Sequence, residues 1–232
     1  MKHSADAVGR DTGDTAARSG RHRGQERYLG SPTAALGLGA ALISAVVVVG
    51  LAIPTGPRPL DRAWAELMAD SQTDALHALA LVFNALGRGL GLVILGAIGI
   101  VLVASRRWQA LAAFVAAEGL TTLAVHLIKA AVARPRPPDQ MLHVASASYP
   151  SGHTASAGAT TVALVLLFTS PRHRRPWWVL ATIGTAAMAW SRTYLQVHWL
   201  TDVIAGAMLG VGVTLMIFGL TQLLRDRSSD RC

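Results

Sequence analysis

The chain has 232 residues, 52% hydrophobic and 15% charged, where ordinary soluble domains carry about 25% charged residues, so composition points to a membrane protein. Its one cysteine, Cys232, is the last residue, which excludes an internal disulfide, and no CxxC pair or His/Cys cluster suggests a zinc site or any other cofactor. A net charge of +8 would raise nucleic-acid binding in a soluble chain; here the placement of the cations matters more, and no nucleic-acid partner is expected.

Residues 1–32 are polar and rich in Gly, Ser, Thr, Asp and Arg. They are predicted to be a disordered tail, because they cannot bury enough apolar surface to offset ordering. The run TAALGLGAALISAVVVVGLAI, 33–53, has the roughly 20 apolar residues a transmembrane helix needs, and the prolines of PTGPRP end it. Residues 54–88 form a predicted outer loop. Its 61–86 part alternates acidic residues with Leu, Ala, Trp64 and Phe83, as an interfacial helix leading into the next span would. Span two is predicted at 89–105, span three from Trp108 to Ile128 and span four from Thr154 to Ser170. Span five runs from Trp177 to Trp190, span six from Val203 to Leu224, and 226–232 is a short tail. The fold class is therefore all-α: a polytopic membrane protein with six transmembrane helices, five of them in a core at 89–225.

Six crossings divide the cations unevenly. The N-terminal tail, Arg106 and Arg107, Arg172 to Arg175, and the C-terminal end hold fourteen of the 21 Lys plus Arg, and the other side holds seven. By the positive-inside rule both termini are cytoplasmic. Only Lys2 and Lys129 are lysines, and a lysine kept at 129 hints that a compact ammonium matters there.

Three polar stretches fall at span mouths on the cation-poor side: KAAVARPRP from Lys129 to Pro137, PSGH from Pro150 to His153, and SRTYLQVHWLTD from Ser191 to Asp202. Lys129, Arg136 and Arg192 supply three cations, and an arginine fork suits phosphate oxygens. Ser151 and the N–H groups around Gly152 open a helix whose N-terminus favours an anion. His198 and Asp202 are four residues apart, on one helical face if that turn is helical. A carboxylate on one imidazole nitrogen leaves the other free to attack. His153 is a second imidazole, suited to protonating a leaving oxygen. The set suggests phosphoryl transfer.

Together the three stretches resemble the type-2 phosphatidic-acid phosphatase family, which includes membrane lipid phosphatases, bacterial acid phosphatases and vanadium haloperoxidases. The family pattern is Lys-x6-Arg-Pro, Pro-Ser-Gly-His and Ser-Arg-x5-His-x3-Asp, and this chain matches every fixed position in order, over a helical core of about 105–225. The resemblance implies a metal-independent phosphatase working through a phosphohistidine. His198 would be the nucleophile, Asp202 would fix its tautomer, and His153 would protonate the leaving group. Lys129, Arg136, Ser151, Gly152 and Arg192 would hold the phosphoryl oxygens. RPRP offers two Arg-Pro pairs; the spacing selects Arg136 and leaves Arg134 as a rim or headgroup contact.

Singly, each piece has a plainer reading: a helix cap at Ser151, packing or interfacial histidines, a snorkelling Lys129. All must hold at once to explain the spacing. Glu118, in the middle of span three, is either a group holding Lys129 or Thr122 beneath the site, or a protonated, hydrogen-bonded structural acid. His126 reads as packing or interfacial, and Trp177, Trp178, Trp190 and Trp199 as a membrane-interface belt. The expected substrate is a lipid phosphate entering from the outer leaflet: a polyprenyl diphosphate, phosphatidylglycerol phosphate or phosphatidic acid. The rivals are a non-enzymatic transporter or lipid-binding membrane protein, and vanadate-dependent oxidation. The Ala- and Arg-rich composition fits a bacterium of high genomic GC.

Overall fold

The computed structural model describes residues 28–53 and 56–229; most of the predicted N-terminal tail and residues 230–232 lie outside them. Helix α1, Pro32–Ala52, starts where Ser31 Oγ accepts from Ala34 N at 3.2 Å, with proline at its first position, a favoured N-terminal pairing. The four residues before it are held, unlike the tail expected there. Tyr28 is 2% exposed and packs edge-on against Phe218, and Leu29 exchanges two hydrogen bonds with the Gln222 side chain. One aromatic ring and one amide side chain give this short segment partners that composition alone does not foresee.

The predicted interfacial helix is two helices, α2, Pro59–Asp70, and α3, Asp74–Leu86. The break falls at Ser71-Gln72-Thr73, where Thr73 Oγ1 accepts from Leu76 N and caps α3. Helix α4, Gly89–Ala104, follows α3 at a 47° bend. Then come α5, Trp108–Val132, α6, Gly152–Phe168, a short 3₁₀ turn, α7, Arg174–Tyr194, and α8, Leu200–Ser229. The described residues contain no strand.

Three of these helices, α1, α5 and α8, are by themselves long and apolar enough to cross a bilayer, and α3 with α4 makes a fourth if the bent pair is one span. Length and composition thus give three or four crossings where six are predicted. Helix α6 has only 17 residues, and α7 carries Arg174, Arg175 and Arg192 within its 21.

Helix α8 is central, packing against α1, α5, α6 and α7. In lipid there is no hydrophobic gain in joining two apolar helices, so small residues that admit close backbone contact carry the association. A Cβ on Gly39 would stand 2.6 Å from Gly212 O where α1 meets α8. A Cβ on Gly206 would run into Ser151 O, and one on Gly210 into Ala155 O, where α8 meets α6. That approach sets the first turns of α6 and α8 side by side, and Ser151 N donates to Asp202 O at 3.0 Å. Two of the three polar stretches are joined this way.

Candidate active site

The third stretch reaches the site through the connection between α5 and α6. Helix α5 stops at Ala133, a left-handed residue with φ 47°, whose N–H closes onto Lys129 O at 3.0 Å. The following loop is pinned by two large buried side chains. Arg134 is 1% exposed, and Tyr149, fully buried, donates its hydroxyl to Val46 O on α1 at 2.7 Å. The turn from α7 to α8 uses a second left-handed residue, Gln196, φ 54°, whose side chain donates to Ala65 O on α2. Non-glycine residues in this region cost energy unless the surroundings hold them; here Ala133 ends α5 and Gln196 turns the chain out of α7 two residues before His198.

His198 is 5% exposed. Its Nδ1 lies 3.5 Å from Asp202 Oδ2, and its Nε2 lies 3.2 Å from Arg136 Nη1. A guanidinium only donates, so Nε2 carries the lone pair and the ring proton is assigned to Nδ1, facing the carboxylate. Burial pushes the His198 imidazole down to about 4, and Arg136 and Lys129 add to that against the pull of Asp202. The ring is therefore neutral at ordinary pH.

Asp202 is fully buried and saturated with donors. Oδ2 accepts from Trp199 N at 2.9 Å and from the Ser148 hydroxyl, and Oδ1 accepts from Arg134 Nη1. Arg134 also donates to Thr201 Oγ1 at 2.7 Å and to Asp61 Oδ2 at 2.7 Å. The expected rim or headgroup role for Arg134 is thus overturned: its side chain is wholly enclosed between two carboxylates. Trp199 is corrected with it. It is 6% exposed, its indole N–H donates to Pro135 O, and Arg134 stands 5.7 Å from its ring centroid. A residue expected in an interface belt is part of the wall behind Asp202.

The cations surround His198. Arg136 donates to the carbonyls of Ser146, Ala147 and Val197 and to Ser146 Oγ. Lys129 Nζ points at the Ala147 and Ser148 carbonyls. Arg192, 3% exposed, gives Nη1 to Asn84 Oδ1 on α3 at 3.0 Å, while its Nη2 is buried without a partner. Ser151 is the first cap of α6 by position, but its Oγ accepts from Thr154 Oγ1 rather than from the backbone, and Gly152 opens the helix. His153 stands on the first turn of α6 with Nε2 buried and unpartnered, close enough to Arg192, Arg88 and Arg136 for their charges to act on it. The bend between α3 and α4 lies close to its ring, leaving no room for a Cβ at Gly87.

All eight residues read from the three stretches are thus gathered at one end of the bundle. Glu118 is not tied to Lys129, whose ammonium is turned to the loop. It accepts from Ser156 Oγ at 3.1 Å and Thr160 Oγ1 at 2.6 Å on α6, in the wall of a cavity of about 480 Å³ that also reaches His153 and Arg88. Its hydrogen-bond partners are thus on α6. His126 is exposed on α5. Sequence reasoning missed Asp61, Asn84, Ser148 and Thr201. Asn84 had a signal, a lone amide inside the apolar run 79–86; Asp61 reads locally as an acidic first-turn residue of α2, accepting from Arg58 N at 3.3 Å, and its other partners, Arg134 and Thr201, are more than 70 residues away.

The family model of the PAP2 superfamily matches residues 110–226. An undecaprenyl-diphosphatase of Sulfolobus acidocaldarius is 44% identical over 71 residues, 30% of this chain and 31% of the relative. Phosphatidylglycerophosphatase B of Bacillus subtilis is 29% identical over 90 residues, 37% of this chain and 44% of the relative. The alignments span less than half the length of these curated relatives. Among solved structures, a transmembrane PAP2 type phosphatidylglycerolphosphate phosphatase from Bacillus subtilis is similar with TM-score 0.63 and 23% identity, over 86% of this chain and 98% of that one. This is a likeness of fold.

Proposed function

This chain belongs to the PAP2 superfamily, and from that premise we propose that it is an integral membrane phosphatase acting on a lipid phosphomonoester or diphosphate through a phosphohistidine. The observation that carries the reading is the polarity of His198: a buried carboxylate faces Nδ1, and the lone pair of Nε2 points at Arg136. In the first step Nε2 attacks phosphorus as the bond to the leaving oxygen breaks, and His153 supplies that oxygen with a proton. In the second, water attacks the phosphohistidine, its proton passes to His153, and His198 leaves neutral. Asp202 offsets the charge on the imidazole in both. Lys129, Arg136, Arg192, the Ser151 hydroxyl and the Gly152 N–H at the start of α6 hold the equatorial oxygens. Arg192 Nη2 has no competing protein partner, while Lys129 and Arg136 exchange loop carbonyls for phosphate.

We place the site at the extracytoplasmic face of the cell membrane, with both termini cytoplasmic and α6 and α7 as the remaining two of six crossings. The distribution of cations supports this. Arg107, beside Phe168, and Arg174, bonded to Tyr28 O, cluster at the bundle end away from His198. A lipid phosphate at that boundary is the natural substrate.

The test is phosphate release by purified protein from polyprenyl diphosphate, phosphatidylglycerol phosphate and phosphatidic acid. At least one is hydrolysed, EDTA leaves the rate intact, and His198→Ala abolishes it. Undiminished release by that variant overturns the mechanism. For topology, a cysteine at exposed Ala145 in a Cys232→Ser background reacts with an impermeant thiol reagent from outside; labelling only after lysis inverts the placement.

A further inference from the structure

We infer that Asp61 is a positioning residue of this site, acting through Arg134 and Thr201 to set how Asp202 meets His198. The inference rests on the phosphohistidine reading. Asp61 lies on α2, outside the segment 110–226 that the family model matches, and the mechanism above does not use it.

The geometry is a closed relay. Asp61 Oδ2 takes Arg134 Nη2 at 2.7 Å and the Thr201 hydroxyl at 3.0 Å, and Oδ1 takes Thr201 N at 2.9 Å. The Thr201 hydroxyl in turn accepts from Arg134 Nη1, the same nitrogen that donates to Asp202 Oδ1. Asp61 thereby caps the first turn of α8, which carries Asp202, and balances the arginine that holds Asp202's second oxygen. Asp61 and Asp202 are both 0% exposed and Arg134 is 1% exposed.

A structural staple alone is a poor account of this. A buried ion pair is a weak stabiliser, and apolar contacts between α2 and α8 hold two helices as well. What the second carboxylate adds is electrical. With Asp61 in place, Arg134 divides its charge between two anions. Without it, the whole guanidinium leans on Asp202 and weakens the field that keeps the His198 proton on Nδ1. The Nε2 lone pair then loses part of its claim to be the free nitrogen.

The experiment compares Asp61→Asn, Arg134→Gln, the double variant and Thr201→Val in the full chain. Steady-state kcat and KM are read together with the ¹⁵N shifts of the His198 ring at pH 7, assigned by their loss in His198→Ala. Asp61→Asn is expected to lower kcat on the order of tenfold with KM unchanged, and to move the ring shifts toward an Nε2–H population. Because Asp61 works through Arg134, the double variant is no slower than Arg134→Gln alone, where independent sites would add. Thr201→Val keeps every charge and is expected to lose roughly threefold, with ring shifts in the same direction; it decides the matter if Asp61→Asn does not fold. Unaltered ring shifts with kcat within twofold of wild type, or strictly additive losses, overturn the inference. A wild-type protein that releases no phosphate sinks the phosphatase reading instead, and the ring shifts still decide the role of Asp61.

Discussion

Gly206→Ala tests whether backbone contact between α6 and α8 assembles the site. The added methyl would overlap Ser151 O and stand 3.3 Å from Ala155 N. Both are main-chain atoms of the first turn of α6, so no rotamer change relieves them. Helix α8 has to retreat, and restoring ordinary contact requires roughly 1 Å of movement. That movement stretches the 3.0 Å bond from Ser151 N to Asp202 O and draws Asp202 and His198 away from His153. Overpacking of this kind costs about 1–3 kcal/mol of stability, and a misplacement of about 1 Å costs on the order of 10²-fold in rate. The assay is kcat for phosphate release beside the Tm of the same detergent-purified protein. Gly96→Ala is the control: on α4, nothing lies within 4 Å of its Cβ, so it should keep full rate and stay within about 0.5 kcal/mol of wild type. A Gly206→Ala protein as fast and as stable as wild type refutes the claim that this contact sets the geometry.

Asp202→Asn puts an amide where Arg134, Ser148 and Trp199 all donate, so one pair of donors must face each other and the imidazole loses its counter-charge; kcat should fall on the order of 10³–10⁴-fold, and a loss below tenfold rejects the orienting role. Arg192→Lys keeps the charge but loses the fork that spans Asn84 and the free Nη2; a rise in KM or fall in kcat of about tenfold is expected, and an unchanged kcat/KM counts against a phosphate contact. The pH dependence follows from His198. Burial holds its imidazole at about 4, so it gains a proton only as pH falls through that value, and kcat/KM corrected for the substrate's own ionisation should stay high at pH 5.5. An acid-side midpoint near the ordinary imidazole value of about 6.5 contradicts a buried neutral nucleophile.

The order and spacing of Lys129, Arg136, Ser151, Gly152, His153, Arg192, His198 and Asp202 were legible along the chain, because polar residues stand out beside long apolar runs. The apolar runs likewise located α1, α4, α5, α6, α7 and α8 to within a few residues at most ends. The broken helix at 71–73 was less visible, since its capping residue is an ordinary threonine and the flanking residues share one amphipathic pattern.

Arg134 and Trp199 show where local reading ends. Each sits in a loop at a membrane boundary, and both look like surface residues by type and position. Only the fold brings Asp61 of α2 against the start of α8, so that one buried guanidinium lies between two carboxylates far apart in the chain. Glu118 carries the same lesson, since its partners are Ser156 and Thr160 across a helix interface rather than Lys129 on its own face. Sequence by itself picked out the candidate side chains and the helices that carry them, because both are written in residue type and short spacing. Tertiary structure decided which polar residues gather around His198 and which support those that do, because burial and long-range pairing depend on helices that meet only after folding.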